Sequence, residues 1–166
     1  FPVTIRVCEV FLGSFGKGRG TGRRVVMSES VEYINELSEA QLGREERRHN
    51  ANTLLRVIAS CGRKFFRHKD NWAYFIFNNQ YRIFFVDNYT QQHIYTHRQG
   101  YWKGFSHGGT LKALVEKLRD YIKDGTKLPE GQLGPWPDWY CKGDLWGYGE
   151  DMEQVREAAR KMEITQ

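Results

Sequence analysis

Apolar and polar positions alternate along residues 4–12 (TIRVCEVFL), which predicts a strand, and the run at 24–27 (RVVM) reads as its hairpin partner across a long loop. Ser38, Glu39, Ala40 and Gln41 have the spacing of a capping box, and Leu54, Leu55, Ile58, Cys61 and Phe65 follow at helical intervals. A helix is therefore predicted from Ser38 to about Gly62, with its polar stretch at 43–50 on the surface. Three aromatic-rich runs, at 72–77, 82–86 and 93–97, are separated by turn compositions at 78–80 and 87–92. This is the pattern of a three-stranded antiparallel meander, and the first two runs, apolar on both faces, are expected to be central. Leu111, Leu114, Val115, Leu118, Tyr121 and Ile122 form one stripe of a helix that Thr110 can cap and Gly125 can stop, predicted to lie across the meander. Residues 129–149 hold three of the four prolines and three of the five tryptophans and read as an irregular wrap. A last helix, about 150–162, is acidic at its start and basic at its end, with Met152, Val155, Ala159 and Met162 on one face.

The fold class this implies is α+β: the meander, which the N-terminal hairpin can extend, packed with three helices in a single domain over residues 1–166. At this length a folded chain buries roughly 70% of its surface, so no metal or disulfide is required to hold the core. Hydrophobic residues make up 40% of the chain and aromatic residues 14%, with a mean hydropathy of -0.67. Those values exclude a disordered chain and a membrane-spanning one. No apolar run approaches the ~18 residues of a spanning helix, and residues 1–6 lack the basic-then-apolar order of a signal peptide. Cys8, Cys61 and Cys141 cannot all pair within one chain and form no CxxC, which points to a reducing cytoplasm.

Charge changes the picture by its distribution. Lys plus Arg is 25 against 20 Asp plus Glu, a net +5. Within 44–69, however, Arg44, Arg47, Arg48, Arg56, Arg63, Lys64, Arg67 and Lys69 oppose only Glu45 and Glu46. Intrahelical ion pairs account for the cations at 44–48; Arg63, Lys64 and Arg67 have no such partner and suggest a cationic face for an acidic surface or nucleic acid. The loop at 13–23, with Lys17, Arg19 and Arg23 and the adjoining Arg24, reads as a flexible polycationic arm, the alternative being an inert hairpin loop.

Candidate chemistry lies between residues 87 and 110. Small residues at 104–110 precede a helix, so the N–H groups of Gly108, Gly109 and Thr110 can converge on an anion that Lys103, Lys112, Arg98 and Arg63 would neutralise. The plainer reading is a strand-to-helix corner. No GxxxxGKS or GxxxxGKT occurs, which argues against ATP or GTP hydrolysis. Tyr95 stands between His93 and His97 on one strand face, with Arg98, Tyr101, Trp102 and Lys103 beyond; aromatic groups beside cations are what bases stack on and phosphates pair with, and they also anchor protein interfaces. His93 and His97 are too far apart on a straight strand to share a metal, so neither metal nor cofactor is predicted. Asp87 and His107 can join them only through folding; the alternative functions are a nucleotide-processing or nuclease-like enzyme built on His93, His97, His107 and Asp87, and a module that binds a small anion such as a nucleotide at Gly108 and Gly109. Ser106, Cys61 and Cys141 belong to no nucleophile motif.

The stretch RIFFVDNYTQQHIYTH and the following GFSHGGTLKALVEKLRDYI resemble small uncharacterised proteins of bacteriophages and mobile elements, over residues 52–125. The resemblance implies a non-catalytic inhibitor that binds and blocks a host component, CRISPR machinery included, and attaches no activity to any residue. The expected function is thus a cytoplasmic binding protein whose partner is nucleic acid, a nucleoprotein or a host protein complex, with no membrane partner.

Overall fold

The computed structural model describes residues 38–166, so the predicted strands at 4–12 and 24–27 and the loop at 13–23 lie outside the described residues. The chain divides after Gly43 into two units. Of the first, only 38–43 is described, and there the capping box closes: the Ser38 hydroxyl accepts the Gln41 N–H at 3.1 Å while the Ser38 N–H donates to Gln41 Oε1 at 3.1 Å. Helix α1 accordingly runs over Glu39–Ala59. The second unit, Arg44–Gln166, holds the remaining elements and the core.

The apolar face of α1, with Ala51, Leu54, Leu55, Ile58 and Ala59, is buried. Its polar stretch is not the solvated surface that composition implies. Arg44 donates to the Tyr81 carbonyl at 2.8 Å with its guanidinium 5.0 Å from the Phe77 ring centre, and Arg47 donates to the Ile122 carbonyl at 3.1 Å. Long arginine stems can lie on apolar surface while their heads reach backbone carbonyls, so these cations join elements instead of coating one.

After α1 a two-stranded hairpin forms, β1 (Arg67–His68) with β2 (Asn71–Trp72), in the register Arg67 to Trp72 and His68 to Asn71. The run predicted as one strand over 72–77 is thus split at Ala73, whose N–H donates to the Phe66 carbonyl at 2.9 Å. The meander is built from β3 (Tyr74–Phe77), β4 (Ile83–Val86) and β5 (His93–Tyr95), antiparallel, with β4 in the middle. Its inner face, Phe75, Ile83, Phe85 and Ile94, is buried. Strand β3 is an edge, contrary to the expectation that both apolar runs are central. Its exposed backbone is met by a side chain: Asn52 of α1 accepts the Phe75 N–H at 2.6 Å and donates to the Phe75 carbonyl at 3.1 Å.

Helix α2 (Gly109–Asp124) buries all six residues of the predicted stripe in one cluster with α1 and the meander. Gly125 stops it at φ 81°, its N–H donating to the Tyr121 carbonyl at 2.8 Å. The start differs from expectation. Gly108 is the cap residue, with no side-chain cap bond, and Thr110 lies inside the helix, where its hydroxyl accepts the Trp146 Nε1–H at 3.4 Å. The irregular wrap then delivers Leu133, Trp146 and Tyr148 to the core, beside Leu128 just before it. It closes on Gly62 so tightly that a Cβ there would stand 2.1 Å from the Gly147 carbonyl oxygen. Helix α3 (Met152–Lys161) packs through Val155 and Ala159, and the chain returns beside Leu128, whose N–H donates to the Ile164 carbonyl at 2.9 Å. No helix among the described residues is long and apolar enough to cross a membrane.

Candidate nucleic-acid interface

A cleft of about 300 Å³ opens where α1, the β1–β2 hairpin and the outer face of the meander meet. The hairpin register sets Arg67 opposite Trp72, and α1 brings Arg56 to the same indole; each guanidinium carbon lies 4.8 Å from the ring centre. An aromatic face attracts a cation, and a planar guanidinium held there keeps its N–H edges available for a planar acceptor. The Arg56 side chain donates no hydrogen bond among the described residues, and Arg67 donates only its Nε–H, to the Lys69 carbonyl at 3.1 Å. Across the sheet, Tyr74, Val86 and His93 stand in one row, because Val86 pairs with both neighbours. Val86 is buried, whereas Tyr74 and His93 are exposed. Asn71, Gln91 and Asp70 complete the walls.

Some cations of the described residues are held by carboxylates. Arg48, Arg119, Arg156 and Arg160 each hold a carboxylate within 3.0 Å. Among the described residues none of Arg56, Arg63, Lys64, Arg67 and Lys69 has a carboxylate partner. Arg63 is nevertheless spent on structure: it donates to the Leu145 carbonyl at 3.0 Å and lies over the Phe65 ring. Lys64, Arg67 and Lys69 are exposed, the last two in the hairpin that walls the cleft.

The histidines and Asp87 do not assemble into one centre. Asp87 has no exposed surface; one carboxylate oxygen accepts the Tyr89 and Thr90 N–H groups at 2.9 and 3.0 Å, and the other accepts the Ser106 N–H and hydroxyl at 2.9 and 3.0 Å. Burial alone would raise this carboxyl, but those bonds together hold it below the ordinary carboxylate range. His107 sits among Phe65, Phe66 and Phe105 and donates from Nε2 to Asn88 Oδ1 at 2.6 Å; burial depresses its pKa, against the opposing charge of Asp87. His97 lies past the end of β5 against Tyr95, its pKa lowered by burial and then by the Arg119 and Lys123 charges. His93 alone of the three faces the cleft. No three His, Cys, Asp or Glu side chains among the described residues are grouped to hold a metal ion.

The remaining predicted residues are dispersed. Tyr95 is half-buried against Phe84, with the Arg82 guanidinium 5.7 Å from its ring centre. Tyr101 is 80% exposed, and Arg98, Lys103, Gly108 and Gly109 are exposed as well. Trp102, expected on that surface, is buried instead, its indole N–H donating to the Arg98 carbonyl at 2.9 Å. A Cβ on Gly108 or Gly109 would meet nothing within 4 Å, so the start of α2 is open. Lys17, Arg19, Arg23 and Arg24 lie outside the described residues.

A family model described as YoqU matches residues 40–165. The chain belongs to the YoqU family. It is 33% identical over 122 residues to the SPbeta prophage-derived uncharacterized protein YoqU of Bacillus subtilis (strain 168), covering 70% of this chain and 81% of that protein. The resemblance to phage proteins is thereby borne out. No solved structure matches the chain. The YoqU span contains α1 from its second residue, the hairpin, the meander and every residue of the cleft, whereas the Gly/Arg loop at 13–23 falls before it.

Arg67, His93 and Asp87, which meet at or beside the cleft, are among the residues the sequence pointed to as a site; Arg56, Trp72 and Tyr74 are not. The signal for Trp72 was the stretch His68, Lys69, Asp70, Asn71, a turn composition that places Arg67 and Trp72 opposite each other. Nothing in the spacing of Arg56 and Trp72 reveals their contact, which α1 packing creates.

Proposed function

We propose that this YoqU-family chain is a non-catalytic, cytoplasmic binding protein that engages nucleic acid or a nucleoprotein through the Arg56, Arg67 and Trp72 face, acting as a phage-type inhibitor of a host defence or nucleic-acid-processing complex. The observation that carries the reading is the pair of guanidiniums held over one indole with no carboxylate partner among the described residues. Folded proteins readily pair or solvate their surface cations, so two arginines pre-oriented on an aromatic ring beside an open cleft are arranged for an external anion. Lys69 adds charge at the hairpin turn, and prophage origin of the relative fits a protein that meets host nucleic-acid machinery.

The test is fluorescence anisotropy of labelled DNA and RNA titrated with the protein between about 50 and 200 mM salt, where phosphate contacts make affinity fall steeply. Salt-sensitive binding that weakens in the Arg56→Ser, Arg67→Ser double variant is expected. Absence of binding at low salt, or binding indifferent to both arginines, would refute the reading.

A further inference from the structure

We infer that the cleft seats one nucleotide of a single-stranded nucleic acid, its base between Tyr74 and His93 and its phosphate on Arg56 and Arg67; this rests on the polyanion-binding reading and narrows it. Tyr74 and His93 flank Val86 in one cross-strand row. Neighbouring strands lie about 4.8 Å apart, so side chains two strands apart stand about 9.6 Å from each other. A flat ring stacked on both faces needs about 7 Å, twice the 3.4 Å spacing of bases along a strand. The row thus has the spacing of a slot for one base, with Val86, which lines the cleft, between its two walls. Tyr74 is 42% exposed although it stands on a sheet whose neighbours are aromatic, so part of this large amphipathic side chain is accessible to a ligand.

The rest of the cleft matches the same ligand. Asn71 and Gln91 present amides, which can donate to and accept from a base edge. The two guanidinium carbons lie no more than twice 4.8 Å apart, because both sit over the Trp72 ring. That separation is within the span of one phosphodiester or two consecutive ones. The volume, about 300 Å³, is at the small end of ligand sites, the scale of one nucleotide and not of a helix. A duplex keeps its bases stacked inside and offers this slot only phosphates, whereas a single strand can splay a base into it. A strand is favoured over a loose mononucleotide because the exposed Lys69, next in the chain to the lining residue Asp70, adds positive charge at the rim of the cleft.

The experiment compares a labelled short oligothymidylate, the same strand annealed to its complement, and free thymidine monophosphate as competitor, with the parent protein and with Tyr74→Ala, His93→Ala and Arg56→Ala. Single strand should bind about tenfold more tightly than duplex, and the monophosphate should compete poorly. Tyr74→Ala or His93→Ala should weaken single-strand binding about tenfold with the salt slope unchanged. Arg56→Ala should weaken it and flatten the slope by about 0.7 for one lost phosphate contact. Tyr74 and His93 are exposed, so an unchanged melting temperature verifies that each variant is folded. Equal affinity for duplex and single strand, sensitive to Arg56 but not to Tyr74, overturns the base slot while leaving the polyanion reading intact. No binding to any of the three probes overturns both.

Discussion

Asp87 and Arg56 border the same cleft and represent opposite uses of charge. Asp87 is fully buried with both oxygens engaged by the Tyr89, Thr90 and Ser106 groups, and so it pins the β4–β5 loop to the segment that leads into α2. Arg56 is exposed, rests on an indole and donates to nothing among the described residues. A charge whose bonding capacity is filled from within the chain serves architecture; one that is oriented but left unfilled is available to something else. The distinction assigns Asp87 to the architecture and places the interest on the cations.

The contrast breaks most visibly at Asp87. Asp87→Ala removes the charged acceptor of three backbone N–H groups, and with about 1.5–3 kcal/mol for a hydrogen bond to a charged group, reduced where water can replace it, the chain should lose about 3 kcal/mol by urea unfolding. A loss below about 1 kcal/mol would show that the loop does not depend on the carboxylate.

Gly62 provides a second architectural test, because its φ of 52° and the Gly147 carbonyl at 2.1 Å from a built Cβ leave no room for a side chain. Gly62→Ala should cost about 1–3 kcal/mol through overpacking and strain. By contrast Gly109→Ala, in open space at the first turn of α2, should change the melting temperature little or raise it slightly.

Acid should act on the architectural side in two stages. His107 and His97 are depressed in the folded chain, so the unfolded chain takes up their protons first. Their stabilisation is full above about pH 6.5 and declines as pH falls through the folded values. Asp87, also depressed, keeps its contribution above about pH 3.9 and loses it as pH falls through its folded value. Thermal melts from pH 7.5 to 3 should fall in those two windows, and His107→Phe should shrink the first without moving the second. A melting temperature constant between pH 7 and 5 would contradict the histidine assignment.

The smallest loss of stability belongs to the cleft itself. Arg56→Ala removes a cation–π contact at an exposed site, a loss of about 0.5–1 kcal/mol. Any larger loss in urea unfolding would move Arg56 to the architectural side of the contrast.

Much of the fold was legible because several signals agreed. Six apolar positions on one stripe and a left-handed Gly125 specify α2, and the aromatic runs with Asn- and Asp-rich turns specify the meander. Strands of two residues carry no period, which is why the β1–β2 hairpin was absorbed into a longer strand. Thr110 looked like a cap because hydroxyl residues favour that position, but Trp146, 36 residues away along the chain, takes its hydroxyl. The site was legible only in part for the same reason: Arg67 and His93 come from local pattern, whereas the meeting of Arg56 with Trp72 is a product of tertiary packing.

The Asn52 amide on Phe75 also guards an edge. An edge strand rich in aromatic and β-branched residues is a template onto which another chain can zip, backbone to backbone. By occupying both the N–H and the carbonyl of Phe75, Asn52 takes one rung of that ladder out of reach in Tyr74–Phe77. A strand added at this edge must first displace the amide, so one helix-borne side chain raises the cost of growth into fibres.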